Sequence, residues 1–227
     1  MSDVNVAKRA AAYAAADLVQ DGMKIGLGSG STFLFVIERL AERIKTQGLK
    51  VSGVPSSQGT ADAATKAGVP LLTLDAVERL DLAIDGADEV DPQKNLIKGG
   101  GGAHTRERIV AAAAKEMVVI IDDKKLVPVL GKAFLLPVEV LQFGWKQAER
   151  LITATGGKPQ RRERDGVPFV TDNGNFVLDC KYDGIEDPAW LGEQLNALTG
   201  VVDHGLFVGM AGRIVVADAT GKVRIIP

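Results

Sequence analysis

The sequence predicts an α/β protein, with a mostly parallel-sheet domain followed by a smaller ferredoxin-like α+β domain. Three observations carry that prediction. Short apolar runs alternate with helical patterns through the first half of the chain, which marks right-handed βαβ units. After Gly131 the order becomes strand, helix, strand, strand, helix, strand, the order of a ferredoxin-like unit. The last two apolar runs, 214–217 and 223–226, read as a hairpin returning to the first domain. The first domain then covers 1–130 with 208–227, and the second 131–207.

Residues 3–20 read as an alanine-rich surface helix. Lys8 and Arg9 precede the alanines as in a secretory leader, but Asp3, Asp17 and weak apolarity argue against one. The run 23–27 is short, apolar and ends in glycine, as a buried strand does. From Phe33, residues Val36, Ile37, Leu40 and Ile44 recur at helical spacing, and Gly48 stands where a C-terminal cap belongs. Residues 50–54 read as a second strand, 58–67 as a helix ended by Gly68, and 71–74 as a third strand. A fourth strand, 82–85, runs into an acidic loop. Thr105 opens a helix through the alanines to Lys115, and 117–121 is a fifth strand. In the second domain 135–141 reads as a strand and 145–155 as a helix capped by Gly156 and Gly157. Runs 167–171 and 176–180 flank Asp172-Asn173-Gly174-Asn175, and Asn-Gly between apolar runs signals a hairpin. Asp187-Pro188 starts a helix that stops at Gly200, and 201–208 is the closing strand.

Composition narrows the function. Of 227 residues, 46% are hydrophobic and 25% charged, as in an ordinary globular protein. Lysine plus arginine is 27 against 29 acidic residues, so a net charge of −2 provides no basic excess for nucleic-acid binding. One cysteine excludes an intramolecular disulfide, and two histidines exclude a His-rich metal site. No apolar run approaches the ~20 residues that span a bilayer. The expected setting is the cytoplasm, with neither nucleic acid nor membrane as partner.

In an open parallel sheet, ligands bind beyond the carboxyl ends of the strands. That rule selects Gly26-Leu27-Gly28-Ser29-Gly30-Ser31-Thr32, then Asp85-Gly86-Ala87-Asp88-Glu89-Val90-Asp91, then Asp122-Asp123-Lys124-Lys125. The run Lys98-Gly99-Gly100-Gly101-Gly102 precedes a helix and could fold to the same edge. The first loop suits a phosphate, because glycines admit an anion to the backbone and the following helix offers free N–H groups. Its bland reading is a tight turn with Thr32 as N-cap. Ser31 and Phe33 stand where a dinucleotide fingerprint needs glycine. The acidic loop could be a solvated turn; its spacing is not that of an EF-hand, and a magnesium site there has no support. Ordering four glycines costs chain entropy, so a folded chain that keeps them uses their bare N–H groups. Glu107 falls in the first turn of the next helix, where the macrodipole favours an acid whether or not it is functional. His104, His204 and Cys180 read as packing residues.

Gly-Ser-Gly-Ser-Thr at 28–32, Asp-Gly-Ala-Asp-Glu at 85–89, Lys-Gly-Gly-Gly at 98–101 and Thr-Arg-Glu-Arg at 105–108 together resemble the type A ribose-5-phosphate isomerase family. Leu-Gly-Lys at 130–132, Leu-Pro-Val-Glu-Val at 136–140 and Thr-Asp-Asn-Gly-Asn at 171–175 extend the resemblance over nearly the whole chain. It implies a Rossmann-like first domain and cofactor-independent interconversion of ribose 5-phosphate and ribulose 5-phosphate in the non-oxidative pentose phosphate pathway. It also implies a homodimer or homotetramer, of which the dimer is the expected assembly. By motif position it places the general base on Glu107. Substrate contacts fall on Ser29, Gly30, Ser31 and Thr32, on Asp85, Gly86, Ala87 and Asp88, and on Lys98, Gly99, Gly100 and Gly101. A further lysine falls on Lys125, one position from Lys124, and an N-terminal one on Lys8. His104 stands where the family has an apolar residue and Arg108 where it has lysine; neither removes a catalytic group. The implied chemistry is a cis-enediolate route, with Asp85 and Asp88 holding hydroxyls and Lys98 stabilising oxygen charge. The implied metal and cofactor requirement is none. An amino-sugar phosphate deaminase and a non-catalytic sugar-phosphate sensor are the alternative readings.

Overall fold

The computed structural model describes residues 3–227, and of Asp3 the backbone alone. In chain order its elements begin α1 (Asp3–Ala16), β1 (Lys24–Leu27), α2 (Phe33–Gln47), β2 (Ser52–Pro55), α3 (Gln58–Ala67), β3 (Leu82–Gly86), β4 (Glu89–Val90) and β5 (Leu96–Ile97). Next come α4 (His104–Ala112), β6 (Met117–Asp122), β7 (Leu136–Val140), α5 (Trp145–Ala154), β8 (Lys158–Arg161), β9 (Glu163–Arg164) and β10 (Val167–Pro168). The chain closes with β11 (Phe176–Lys181), α6 (Pro188–Asn196), β12 (Val201–His204), β13 (Leu206–Phe207), β14 (Ala211–Ala217) and β15 (Val223–Ile226). Two compact units result. One comprises the chain up to Ala87, with Arg106–Lys125 and Met210–Pro227; the other comprises Asp88–Thr105 and Leu126–Gly209.

The first unit holds a six-stranded sheet in the order β15-β14-β6-β3-β1-β2, parallel except for β15. Every residue of β6 is buried, as expected of a strand covered on both faces. The chain leaves β1 for β2 on one side and returns to β3 on the other, so the sheet's switch point lies between β1 and β3. A parallel sheet opens its ligand crevice there. Helix α1 departs from the expected surface helix. It ends at Ala16, and Ala7, Ala11, Ala12, Ala15 and Ala16 are buried in one core with Ile25, Leu27, Val118 and Ile120. Alanine lets the helix lie close, and a leucine at Ala11 would overpack that seam by about 1–3 kcal/mol. Gly48 caps α2 in the left-handed region at φ 69°, as its position predicts.

Two further expectations in this unit need correction. Residues 71–74 form no strand. Leu71 makes a single bridge to Gly53, and a 3-10 turn follows at Leu74–Ala76. Pro70, which has no N–H, contributes only its carbonyl to that edge. Helix α4 stops at Ala112 rather than Lys115, because the chain there turns to pair with Leu80. Leu80 donates to the Ala113 carbonyl at 2.9 Å and accepts from the Lys115 N–H at 2.9 Å.

The second unit carries a four-stranded antiparallel sheet in the order β12-β7-β11-β8. Leu136, Val138 and Val140 of β7 and Leu178 of β11 face Ala148 and Ile152 of α5 and Leu191 and Leu195 of α6 in one core. The opposite face carries Glu139 and Asp179. This is the ferredoxin-like order, but its second strand is β8, not 167–171. Lys158–Arg161 is polar, contains a proline and lies at the sheet edge, so neither periodicity nor apolarity marks it. The Asn-Gly turn does form, with Thr171 N–H on the Asn175 carbonyl at 2.9 Å, but only a single bridge, Val170 to Phe176, accompanies it. The expected strand 201–208 is broken at Gly205. There a Cβ would come within 2.2 Å of the Lys98 carbonyl oxygen, and the chain passes to a small sheet of β13, β5 and β4. Strand β4 lies inside the acidic loop 85–91, and β5 in the stretch before Lys98 to which the sequence assigns no element.

Candidate active site

The first unit builds one set of polar groups at the carboxyl ends of β1 and β3. The loop 28–32 leaves β1 with the Gly28 N–H on the Ile84 carbonyl, 2.9 Å away. The Asp85 carboxylate is 4% exposed. Its Oδ1 accepts from the Ser29 N–H at 3.0 Å and the Gly86 N–H at 2.7 Å, fastening the loop to the end of β3. Only glycine fits at position 28, since a Cβ would stand 2.3 Å from Asp85 Oδ1. The Ser29 hydroxyl is engaged with Ser56 at 2.8 Å and Ser57 at 3.0 Å. Ser31 is exposed, and its Oγ accepts from Lys8 Nζ at 3.1 Å. Thr32 occupies the N-cap position of α2, yet its hydroxyl makes no capping bond, so the cap reading does not account for it. Ser31 and Thr32 therefore present hydroxyls at a helix N-terminus beside a lysine, the chemistry that suits an anion.

Glu107 lies in the first turn of α4 and is 6% exposed. Lys124 and Lys125 fall in the 3-10 turn Asp123–Lys125 after β6; Lys124 is exposed and Lys125 half-buried.

The second unit builds another set around the glycine run. Lys98 is buried, its N–H on the Gly205 carbonyl at 2.9 Å and its Nζ 5.5 Å from the centre of the Phe207 ring. The Gly100 N–H donates to Asp88 Oδ2 at 2.8 Å, and the Gly102 N–H to the Gly99 carbonyl at 2.9 Å. Two of the four amides are thus used inside the protein. Among the described residues no acceptor takes the Gly99 or Gly101 N–H. The run must be glycine at several points. Gly99 has φ 100° and Gly102 φ 82°, and a Cβ at Gly99 would strike His104 Nδ1 at 2.6 Å. His104 is accordingly a packing residue at the start of α4. His204 Nδ1 accepts the Leu206 N–H at 3.2 Å, and burial pushes the Cys180 thiol up, so neither reads as a reactive group.

Three carboxylate or guanidinium groups have no role assigned from the sequence. Glu139 is fully buried and accepts from Thr171 Oγ1 at 2.8 Å, Asn175 Nδ2 at 2.8 Å, Asn173 Nδ2 at 3.1 Å and Thr105 Oγ1. Thr105 precedes Glu107 by two residues in α4, so this network anchors the helix start. Burial works against the ionised form of Glu139, but the four bonds outweigh it and hold its pKa below the usual carboxylate value. The signal was a glutamate inside the apolar run Leu-Pro-Val-Glu-Val. Glu89 accepts the N–H groups of Gly131, Ala133 and Phe134 at 2.6, 3.1 and 2.8 Å, and so pins that loop. Arg162 is the third.

The first unit thus falls in the class of α/β folds whose parallel sheet carries a hydroxyl-bearing loop and a buried carboxylate at the carboxyl ends of its strands. Comparison with known proteins refines that class. The family described as Ribose 5-phosphate isomerase A (phosphoriboisomerase A) matches residues 52–221. Ribose-5-phosphate isomerase A of Thermosynechococcus vestitus is 52% identical over 224 residues, covering 96% of this chain and 94% of its own. That of Gluconobacter oxydans is 51% identical, covering 97% and 96%. Among solved structures, ribose 5-phosphate isomerase A of Methanocaldococcus jannaschii superimposes with a TM-score of 0.93 at 38% identity, covering 99% of each chain. A D-ribose-5-phosphate isomerase in complex with phospho-erythronic acid also gives a TM-score of 0.93, at 37% identity over 96% of each chain. The chain belongs to the ribose 5-phosphate isomerase A family, and it is an isomerase of ribose 5-phosphate. No helix among the described residues is long and apolar enough to cross a membrane.

Proposed function

We propose that the protein interconverts ribose 5-phosphate and ribulose 5-phosphate through a cis-enediolate, with Glu107 as the base. The observation that carries this reading is a buried carboxylate in the first turn of the helix that the glycine run feeds. Starting from the open-chain aldose, Glu107 takes the proton from C2 and the electron pair left behind forms the C1–C2 double bond, placing negative charge on O1. Lys98 and the Gly99 and Gly101 amides stabilise that charge as it develops. The proton on O2 moves to O1, a transfer assigned to Asp85 and Asp88, and Glu107 returns its proton to C1 to give the ketose.

Ser29, Gly30, Ser31, Thr32, Lys125 and Lys8 anchor the phosphate, which does not react, and Gly86, Ala87 and Gly100 shape the loops around the sugar. The domain division of this reading, 1–130 with 208–227 and 131–207, differs from the compact units at 88–105, 126–130 and 208–209, which group with the second unit. The reading extends to a homodimer acting in the cytoplasm, in the pentose phosphate pathway. Support for the dimer comes from the family resemblance and from exposed Ile109 beside half-buried Leu72 and Leu74; light scattering of the purified protein tests it.

Two measurements test the chemistry. Purified protein mixed with ribose 5-phosphate should form ribulose 5-phosphate, with full activity after exhaustive EDTA treatment and dialysis. Activity lost to EDTA and restored by a divalent ion would contradict the cofactor-free route. Glu107→Gln keeps shape and hydrogen bonding but accepts no proton, so kcat should fall roughly 10²–10⁴-fold with phosphate affinity retained. A folded variant with near-normal kcat would move the base elsewhere, with Asp85 the next candidate.

A further inference from the structure

Behind the glycine run stands a guanidinium. Arg162 belongs to the charged run 161–164, yet its side chain is only 11% exposed. Its Nε and Nη2 form a fork on Asp179, at 2.8 Å to Oδ2 and 2.5 Å to Oδ1. Its Nη1 donates to two backbone carbonyls, those of Gly99 at 3.0 Å and Gly100 at 3.1 Å. These carbonyls belong to the Gly99–Gly100 and Gly100–Gly101 peptides. In a trans peptide the C=O and N–H point to opposite sides. Holding both carbonyls on one cation therefore turns the Gly100 and Gly101 N–H groups away from it. The first meets Asp88 Oδ2 at 2.8 Å, and the second finds no acceptor among the described residues.

We propose that Arg162 is a positioning residue for the isomerisation, fixing and polarising the two peptides that present the Gly100 N–H to Asp88 and the Gly101 N–H to the substrate oxygen. This rests on the reading of the glycine run as an oxyanion site. A cation on an amide oxygen strengthens the N–H of the same amide as a donor, as along any hydrogen-bonded chain. Asp179 holds the fork from β11 with two charge-assisted bonds, so the cation is itself fixed. The Phe169 ring completes the support. Its centre lies 5.7 Å from the Arg162 guanidinium carbon, and a Cβ at Gly102 would fall 2.3 Å from the same ring. Lysine offers a single compact charge without a fork and cannot hold a carboxylate and two carbonyls in the same geometry. The ferredoxin-like sheet thereby acquires a task in the reaction, as the rigid wall that aims the glycine amides.

The test is steady-state kinetics with ribose 5-phosphate on Arg162→Gln, Arg162→Lys and Asp179→Asn, together with inhibition by inorganic phosphate and melting temperature. Arg162→Gln should lower kcat about 10- to 10²-fold, the usual cost of a small misplacement at a reacting centre. KM and the phosphate inhibition constant should stay within about twofold, because the anchor on Ser31 and Lys8 is untouched. Arg162→Lys should recover part of the lost kcat, and Asp179→Asn should lose less than Arg162→Gln in the same direction. A folded Arg162→Gln protein with wild-type kcat overturns the proposal, as does a fall in melting temperature with unchanged turnover per folded molecule. If Arg162→Gln does not fold, Asp179→Asn decides: kcat lowered with KM held supports the proposal, and wild-type kcat overturns it. Failure of the underlying reading looks different: Gly100→Ala, whose added carbon would lie 2.9 Å from Asp88 Oδ1 and disturb the amide face directly, would then turn over ribose 5-phosphate normally.

Discussion

The loops 29–32 and 98–102, both assigned to anionic groups in the proposed reaction, use opposite materials. Each leads from a strand into a helix, α2 or α4. The first offers hydroxyls: Ser31 and Thr32 at a helix start, beside Lys8, on a backbone tied down by Asp85. The second offers bare amides, turned by Arg162 through their carbonyls and met by Asp88. A phosphate carries its charge throughout the reaction, so flexible side chains suffice to hold it. An enediolate's charge arises only as the proton leaves C2, and donors that are already aimed cost no reorganisation as it develops. Side-chain loops therefore weaken by steps, whereas a backbone loop fails where an added carbon meets a fixed neighbour.

That contrast can be broken most severely at Gly100. A Cβ there would lie 2.9 Å from Asp88 Oδ1 and 3.0 Å from the Phe134 ring, so Gly100→Ala must displace a carboxylate. Steady-state kinetics should show kcat down by about 10²-fold, the cost of displacing a reacting group by an ångström. Normal turnover would mean that the amide face does not act in the reaction. Ser31→Ala should be milder and of the other kind. Losing one hydrogen bond to a charged group costs about 1.5–3 kcal/mol, which should appear as a KM raised roughly tenfold or more. Loss in kcat alone would contradict the anchoring role.

Glu139 sharpens the comparison from the side of stability, because it holds the start of α4 through Thr105. Its folded pKa lies below the unfolded value, so the ionised group stabilises the fold at neutral pH. That contribution is lost as pH falls through the folded pKa. Glu139→Gln should lower stability by about 1–3 kcal/mol at neutral pH, by leaving buried donors poorly matched. Thermal melts should show the gap to wild type closing as the solution is acidified, and a gap independent of pH would contradict the network. The smallest effect belongs to Gly101→Ala. No atom lies within 4 Å of the added carbon and φ is not positive, so stability should change by less than ~0.5 kcal/mol, read by chemical denaturation.

Much of this was legible in the sequence, for identifiable reasons. The parallel sheet announced itself because β1, β3 and β6 are continuous apolar runs that end at glycines or acids. Gly48, Gly68 and Asp187 marked helix ends through local backbone chemistry, which does not depend on distant neighbours. The misses are all places where a distant partner decides. Lys158–Arg161 is a strand because β11 pairs with it, and Leu96–Ile97 because β4 and β13 do. Among the polar groups, Asp85 and the glycine run were visible because loop position and glycine density are local signals. Arg162 was invisible because a guanidinium in a charged run looks solvated until Asp179 and two carbonyls are known to meet it.

The division of labour between the loops is tested most directly by the preference for ribose 5-phosphate over unphosphorylated ribose, measured as a ratio of kcat/KM in wild type, Ser31→Ala and Arg162→Gln. The phosphate preference should shrink in Ser31→Ala, where part of the phosphate's binding energy is gone. It should persist in Arg162→Gln, where both sugars lose rate together. A ratio unchanged in Ser31→Ala, or collapsing in a folded Arg162→Gln protein, would contradict the account.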